Sequence, residues 1–160
     1  MALSKLILPP DKEGYSVTDG TEVIAVQLDG GAARYRRDVL GATSRVPVQW
    51  KLNPGNYRYL RAFYRTATNN GATPFLIDLL MDEPTLTEHQ AYFVPGSMKL
   101  SSVSGLTHTV AAELEVIPDL PDAAYDAALV MIYEEYGPYG SVTILDELEA
   151  FANITLPDNL

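Results

Sequence analysis

The side chain best placed for chemistry is Asp78, a single carboxylate inside the apolar run from Phe75 to Met81. Burial there would raise its pKa and poise it as a general acid or base, whereas a partner arginine or a strand edge open to water would leave it an ordinary charged group. The two histidines, His89 and His108, lie nineteen positions apart on different expected strands, outside any His-Glu-x-x-His pattern. Each therefore reads as a strand-face residue, and no zinc site is expected. The chain has no cysteine, which removes thiolate nucleophiles, disulfides and Cys-ligated metals. It also lacks a Gly-x-Ser-x-Gly elbow, a phosphate-binding loop and a dinucleotide fingerprint; Asp29-Gly30-Gly31 is a turn. No catalytic residue, metal or cofactor is expected.

Charge carries more information than reactive groups do. The formal net charge is −10, which disfavours phosphate backbones and anionic membrane surfaces as partners. Between Arg34 and Arg65 stand eight of the eleven basic residues, against the single acid Asp38. Beyond Lys99 there is no Lys or Arg, but Glu134, Glu135, Glu147 and Glu149 stand among eleven acids. Two unlike patches on one protomer suit a head-to-tail contact, in which different surfaces of successive copies meet. They could equally neutralise each other within one fold.

The elements that must position these groups follow from periodicity and turn residues. Residues 1–20, with Pro9, Pro10, Gly14 and Gly20, read as an arm free to pack on a neighbour. Thr21 to Leu28 and Ala32 to Val39 form a hairpin in which Arg34 and Arg36 share one face while Tyr35 and Arg37 share the other. Ser44 to Leu52 is a third strand whose Pro47 suggests an edge or a bulge. Asn53-Pro54 starts a helix over 54–68 that ends at Asn69-Asn70-Gly71, with Tyr57, Leu60, Phe63, Tyr64 and Ala67 on its apolar stripe. Arg58, Arg61 and Arg65, spaced three and four apart, line a separate basic stripe.

Four further strands follow: Thr73 to Met81, expected to be covered on both sides; Thr87 to Val94; Ser97 to Ser102; and Leu106 to Ile117. Asp82-Glu83-Pro84 turns the chain between the first two. Asp122 caps a helix through Tyr136, closed by Gly137-Pro138, with Tyr125, Leu129, Ile132 and Tyr136 as its apolar stripe. A second helix begins near Thr143 and buries Ile144, Leu145, Leu148 and Phe151. The expected fold is α+β, a mainly antiparallel β-sheet or β-sandwich with one packed central helix and two C-terminal helices. It divides into an arm (1–20), a β-rich core (21–117) and a helical appendage (118–160).

Tyr57, Tyr59 and Tyr64 on the central helix, with Tyr133, Tyr136 and Tyr139 near the C-terminus, could form an aromatic platform for sugars or protein, although packing explains their helical spacing as well. No apolar run reaches the roughly 18 residues that span a bilayer, and the first ten residues have too short an apolar core for a secretory signal. The sequon Asn153-Ile154-Thr155 is accordingly read as chance.

One resemblance arises from segment order. Val48-Gln49-Trp50 precedes Tyr57-Arg58-Tyr59-Leu60-Arg61-Ala62-Phe63-Tyr64, which is followed by Gly71-Ala72-Thr73-Pro74-Phe75-Leu76-Ile77-Asp78. Phe93-Val94-Pro95-Gly96-Ser97 and Val110-Ala111-Ala112-Glu113-Leu114-Glu115-Val116 complete the series. Over residues 44–117 this resembles tailed-bacteriophage minor tail proteins, the group of lambda-type tail-tip and distal tail proteins. The resemblance implies a non-enzymatic virion protein, assembled in the host cytoplasm as a homo-oligomeric ring, with six copies expected, that joins the tail tube to the hub or tip. A terminator, connector or baseplate-hub ring is the alternative, and a carbohydrate-binding module a more distant one. Arg34, Arg36, Arg58, Arg61 and Arg65 are the expected subunit contacts, opposed by Glu134, Glu135, Glu147 and Glu149.

Overall fold

The computed structural model describes residues 2–13, 15–81 and 84–155, so Met1, Gly14, Asp82, Glu83 and residues 156–160 lie outside it, as do the side chains from Ala150 onward. The expectations for Phe151, for the side chains of the sequon at 153–155 and for the turn residues Asp82 and Glu83 fall outside the described residues. The chain forms two compact units, residues 1–119 and 120–160.

In the first unit the hairpin strands are β1 (Val23–Val26) and β2 (Arg34–Arg37), which pair only with each other. The remaining strands are β3 (Ser44–Leu52), β4 (Phe75–Leu79), β5 (Thr87–Phe93), β6 (Lys99–Ser104) and β7 (Thr107–Ile117). They make one five-stranded antiparallel sheet in the order β3-β7-β5-β4, with β6 also paired to β7. Helix α1 (Pro54–Thr66) connects β3 to β4. The expected α+β class is the one observed.

Local chemistry explains the boundaries of α1. Asn53 Oδ1 accepts the Asn56 amide at 2.8 Å, and Pro54 sits where no helical N–H is needed. At the other end Asn69, Asn70 and Gly71 adopt φ of 48°, 59° and 95°. This left-handed run reverses the chain, and the buried Thr68 hydroxyl donates to Tyr64 O while accepting from the Gly71 amide. A Cβ on Gly71 would also stand 3.2 Å from Phe93 O, so both conformation and space call for glycine.

Alternation builds the core. Val46, Val48, Trp50 and Leu52 of β3 point inward, as do Val110, Ala112, Leu114 and Val116 of β7, and the register sets Val46 opposite Leu114 and Trp50 opposite Val110. Phe75 stacks on Phe93 at 4.6 Å between ring centroids, and Phe63 of α1 meets the Phe75 ring edge-on at 5.7 Å. Pro47 lies on an edge strand, as expected. Arg45, two residues earlier, turns its N–H and C=O away from β7 to Thr18, so Pro47 sits at an outward position where a missing donor costs no ladder bond.

The arm corrects the sequence reading. It is not merely an appendage but lies along its own sheet and contributes to the core. Lys5 bridges to Leu76 at the β4 edge, Leu8 O accepts the Trp50 indole N–H at 3.1 Å, and Thr18 bridges to Arg45 at the β3 edge. Both outer strands are thereby capped, and Leu6, 2% exposed, enters the core. The strand around Asp78 is corrected too: Phe75, Ile77 and Leu79 are buried, but Leu76 and Asp78 are half-buried and Leu80 is exposed. It is covered fully on one side only.

The second unit contains α2 (Ala123–Thr155), broken at Gly137, whose φ of 71° and ψ of 175° are non-helical. Asp122 Oδ1 caps the first segment through the amides of Ala124 and Tyr125. The second segment follows from Pro138 and not from Thr143, because proline at a first helical position is pre-set for the helix. Thr143 is interior, its hydroxyl donating to Tyr139 O. The expected stripe is not buried: Tyr125 and Tyr136 are exposed, as is Leu148, while Leu129, Ile132, Ile144 and Leu145 are half-buried. Among the described residues no helix is long and apolar enough to cross a membrane.

Candidate assembly surface

Asp78, the first suspect for chemistry, lies on the outward face of β4 with its side chain 39% exposed, and Lys5 Nζ binds both it and Glu88 at 2.8 Å. It is a member of a surface ion cluster, not a buried acid. His89 is buried, with Nε2 2.8 Å from the Thr87 hydroxyl and Nδ1 4.0 Å from Asp119. His108 stacks on Tyr57 at 4.8 Å. Tyr59 and Tyr64 pack against Phe63 and Phe93, so the tyrosines of α1 are spent in packing; Tyr133, Tyr136 and Tyr139 of α2 are exposed. Among the described residues no group of three or more His, Asp or Glu is arranged to hold a metal ion.

The arginines expected at a contact fall into two places. Arg58 and Arg65 are exposed on α1 and Arg61 is half-buried, with Arg65 Nε donating to Arg61 O at 3.2 Å. α1 carries no acid of its own, and none of the three has a carboxylate partner within the first unit among the described residues. Arg34 and Arg36 are exposed on β2, where Arg36 reaches Asp38 at 3.6 Å. Other basic residues of this stretch are engaged: Arg37 with Glu22, Arg45 with Glu113, and Lys51 with Glu13. Among the described residues, neutralisation within the first unit thus consumes part of the basic segment and spares the α1 stripe.

Glu22 is a residue that sequence reasoning missed. Its carboxylate accepts from Arg37 at 2.9 Å and from the Gly41 amide at 2.7 Å, closing the base of the hairpin. The Arg37 hydrogen bond, followed by that of Gly41, holds its carboxyl below the usual carboxylate range. No spacing signal marks it, because the partners are 15 and 19 residues away.

The hairpin itself is exposed along both strands. Cross-strand partners share a face, so Ile24 with Arg36 and Val26 with Arg34 form an apolar and basic side, and Ala25 with Tyr35 belongs to the other. In α2, Glu134, Glu135, Glu147 and Glu149 are all exposed in a unit that has no Lys or Arg. Its first segment also carries a shallow groove of about 430 Å³ lined by Leu129, Val130, Tyr133 and Glu134.

No family model, curated protein or solved structure matches the chain.

Proposed function

We propose that this chain is a structural subunit that assembles head to tail into a closed ring, and that the ring sits at the distal end of a phage tail tube, joining it to the hub or tip. The observation that carries the assembly reading is that the arginine stripe Arg58–Arg61–Arg65 of the first unit has no carboxylate partner among the described residues, while the second unit has no base and exposes both carboxylates and apolar side chains. Such unlike surfaces mate between copies and leave each copy with one of each, the requirement for a heterologous ring. The placement on a tail rests on the segment resemblance over residues 44–117, with α1 between β3 and β4 as that resemblance requires.

Ion pairs at a wet surface contribute only about 0–1 kcal/mol each, so they set orientation while apolar burial, at about 25 cal/mol per Å², supplies the affinity. Native mass spectrometry of the purified chain is expected to show one closed oligomer, and the Arg58→Glu, Arg61→Glu double variant a folded monomer. An oligomer of unchanged mass in that variant would overturn the arginine contact. Labelling virions with an antibody against the chain and finding no signal on the tail would overturn the location.

A further inference from the structure

The hairpin β1–β2 is a small element with much to cover. A two-stranded hairpin is marginal alone, and here Ile24 and Val26 are 40% and 50% exposed on the face that also presents Arg34 and Arg36. The α2 groove is its chemical complement: Leu129, Val130 and Tyr133 offer an apolar floor, and Glu134 supplies the carboxylate at its margin. We infer that the Ile24–Val26–Arg34–Arg36 face of one copy seats on the Leu129–Val130–Tyr133–Glu134 groove of a second copy.

The spacing supports this pairing. Two residues along a strand advance about 6.8 Å, which separates Ile24 from Val26 and Arg36 from Arg34. Four residues along a helix advance about 6 Å, which separates Val130 from Glu134 and Leu129 from Tyr133. An aliphatic pair and an arginine pair on the strands can therefore lie over an apolar step and a carboxylate on the helix without bending either. The charges select the occupant: a second unit without a single Lys or Arg has no cation of its own for Glu134, and Arg34 has no carboxylate partner within its own unit among the described residues. The contact joins different surfaces on the two copies, so repeating it propagates in one direction around a ring. This inference rests on the self-assembly reading and names one of its contacts.

The absence of native cysteine makes a direct test simple. Val26→Cys and Val130→Cys are made as separate single variants, mixed and mildly oxidised, so that any disulfide between them joins two molecules. Val142→Cys, another exposed position on α2, replaces Val130→Cys in the control. The expected result is a Val26–Val130 heterodimer at least fivefold above the control and above either homodimer. Adding Arg34→Glu and Arg36→Glu to the Val26→Cys partner should abolish it, and Glu134→Arg in the other partner should restore it. Heterodimer no more abundant than the control, from a wild type that is oligomeric by native mass spectrometry, overturns this docking alone. A wild type that stays monomeric at every concentration overturns the assembly reading as well.

Discussion

Asp78 and Glu88 stand directly opposite each other on neighbouring strands, two like charges in register. Such a pair is destabilising unless a cation joins it. Lys5 is that cation, 2.8 Å from each carboxylate, and it ties the arm to the outer strand of the sheet.

The hydrogen bond to Asp78, then that to Glu88, raises the Lys5 pKa above its ordinary 10.5. A lysine with a raised folded pKa contributes stability that is complete below the unfolded value and lost as pH rises through the folded one. The Lys5 contribution to holding the arm should therefore be lost on the alkaline side as pH rises above 10.5. The ¹³Cε resonance of Lys5 should titrate above that value in the wild type and return to it when Asp78→Asn and Glu88→Gln are combined. Lys5→Met should speed amide exchange at Leu6 and Leu76 at neutral pH, since those two amides bond between arm and β4. Unaltered exchange would mean that the arm is held without the ion cluster.

Leu6→Ala tests whether the arm belongs to the core. The side chain is 2% exposed among large apolar neighbours, so its removal leaves a cavity and should cost about 2–5 kcal/mol. Chemical denaturation followed by fluorescence of Trp50, the single tryptophan, measures this directly, because its indole N–H is bonded to Leu8 of the same arm. A loss below about 0.5 kcal/mol, typical of surface substitutions, would show that the core closes without the arm.

How far the sequence discloses this molecule depends on how local the cause is. β3 is legible to the residue from Ser44 to Leu52 because its alternation is complete and its far end meets the Asn53-Pro54 helix start. The left-handed stop at Asn69-Asn70-Gly71 is equally plain from residue type. Leu6 is not legible: the apolar run Leu6-Ile7-Leu8 between Lys5 and Pro9 is too short to show a periodicity that would single out one member, and the burial of Leu6 goes with its amide bond to Leu76 O, seventy residues away. Asp78 misleads for a related reason. Its apolar neighbours suggest burial, yet strand alternation turns it outward toward a lysine that no spacing rule connects to it. The arginine stripe on α1 is legible as a pattern because helical geometry alone sets it, whereas the apolar and basic face of the hairpin requires the register of Val26 with Arg34.

Glu22 makes the hairpin sensitive to acid. A carboxyl whose folded pKa is depressed contributes stability that is present above its unfolded value, here the ordinary 4.5, and is lost as pH falls through the folded one. Wild-type hairpin amides, Asp38 N–H to Glu22 O among them, should lose protection below pH 4.5. Glu22→Gln removes the charge that Arg37 and Gly41 bind. It should lower protection at neutral pH and flatten the acid dependence, as read by amide exchange across β1 and β2. A variant that keeps the full acid transition would assign the titration to another group.

The kink in α2 depends on two adjacent residues with different duties. Gly137 holds φ 71° and ψ 175°, a combination essentially confined to glycine, and a Cβ there would meet no neighbour within 4 Å. Any penalty for Gly137→Ala is therefore conformational, about 1–3 kcal/mol. The chain cannot escape it by straightening, because Pro138 in the middle of a continuous helix would lack its N–H and press its ring on the carbonyl of Glu134. Gly137→Ala alone should lower helicity at 222 nm and the midpoint of its thermal loss. Adding Pro138→Ala removes the obstacle, and the double variant should regain or exceed wild-type helicity as one uninterrupted helix. Additive losses in the double variant would show that the break is imposed by something other than this pair, since two residues that jointly specify a kink must couple.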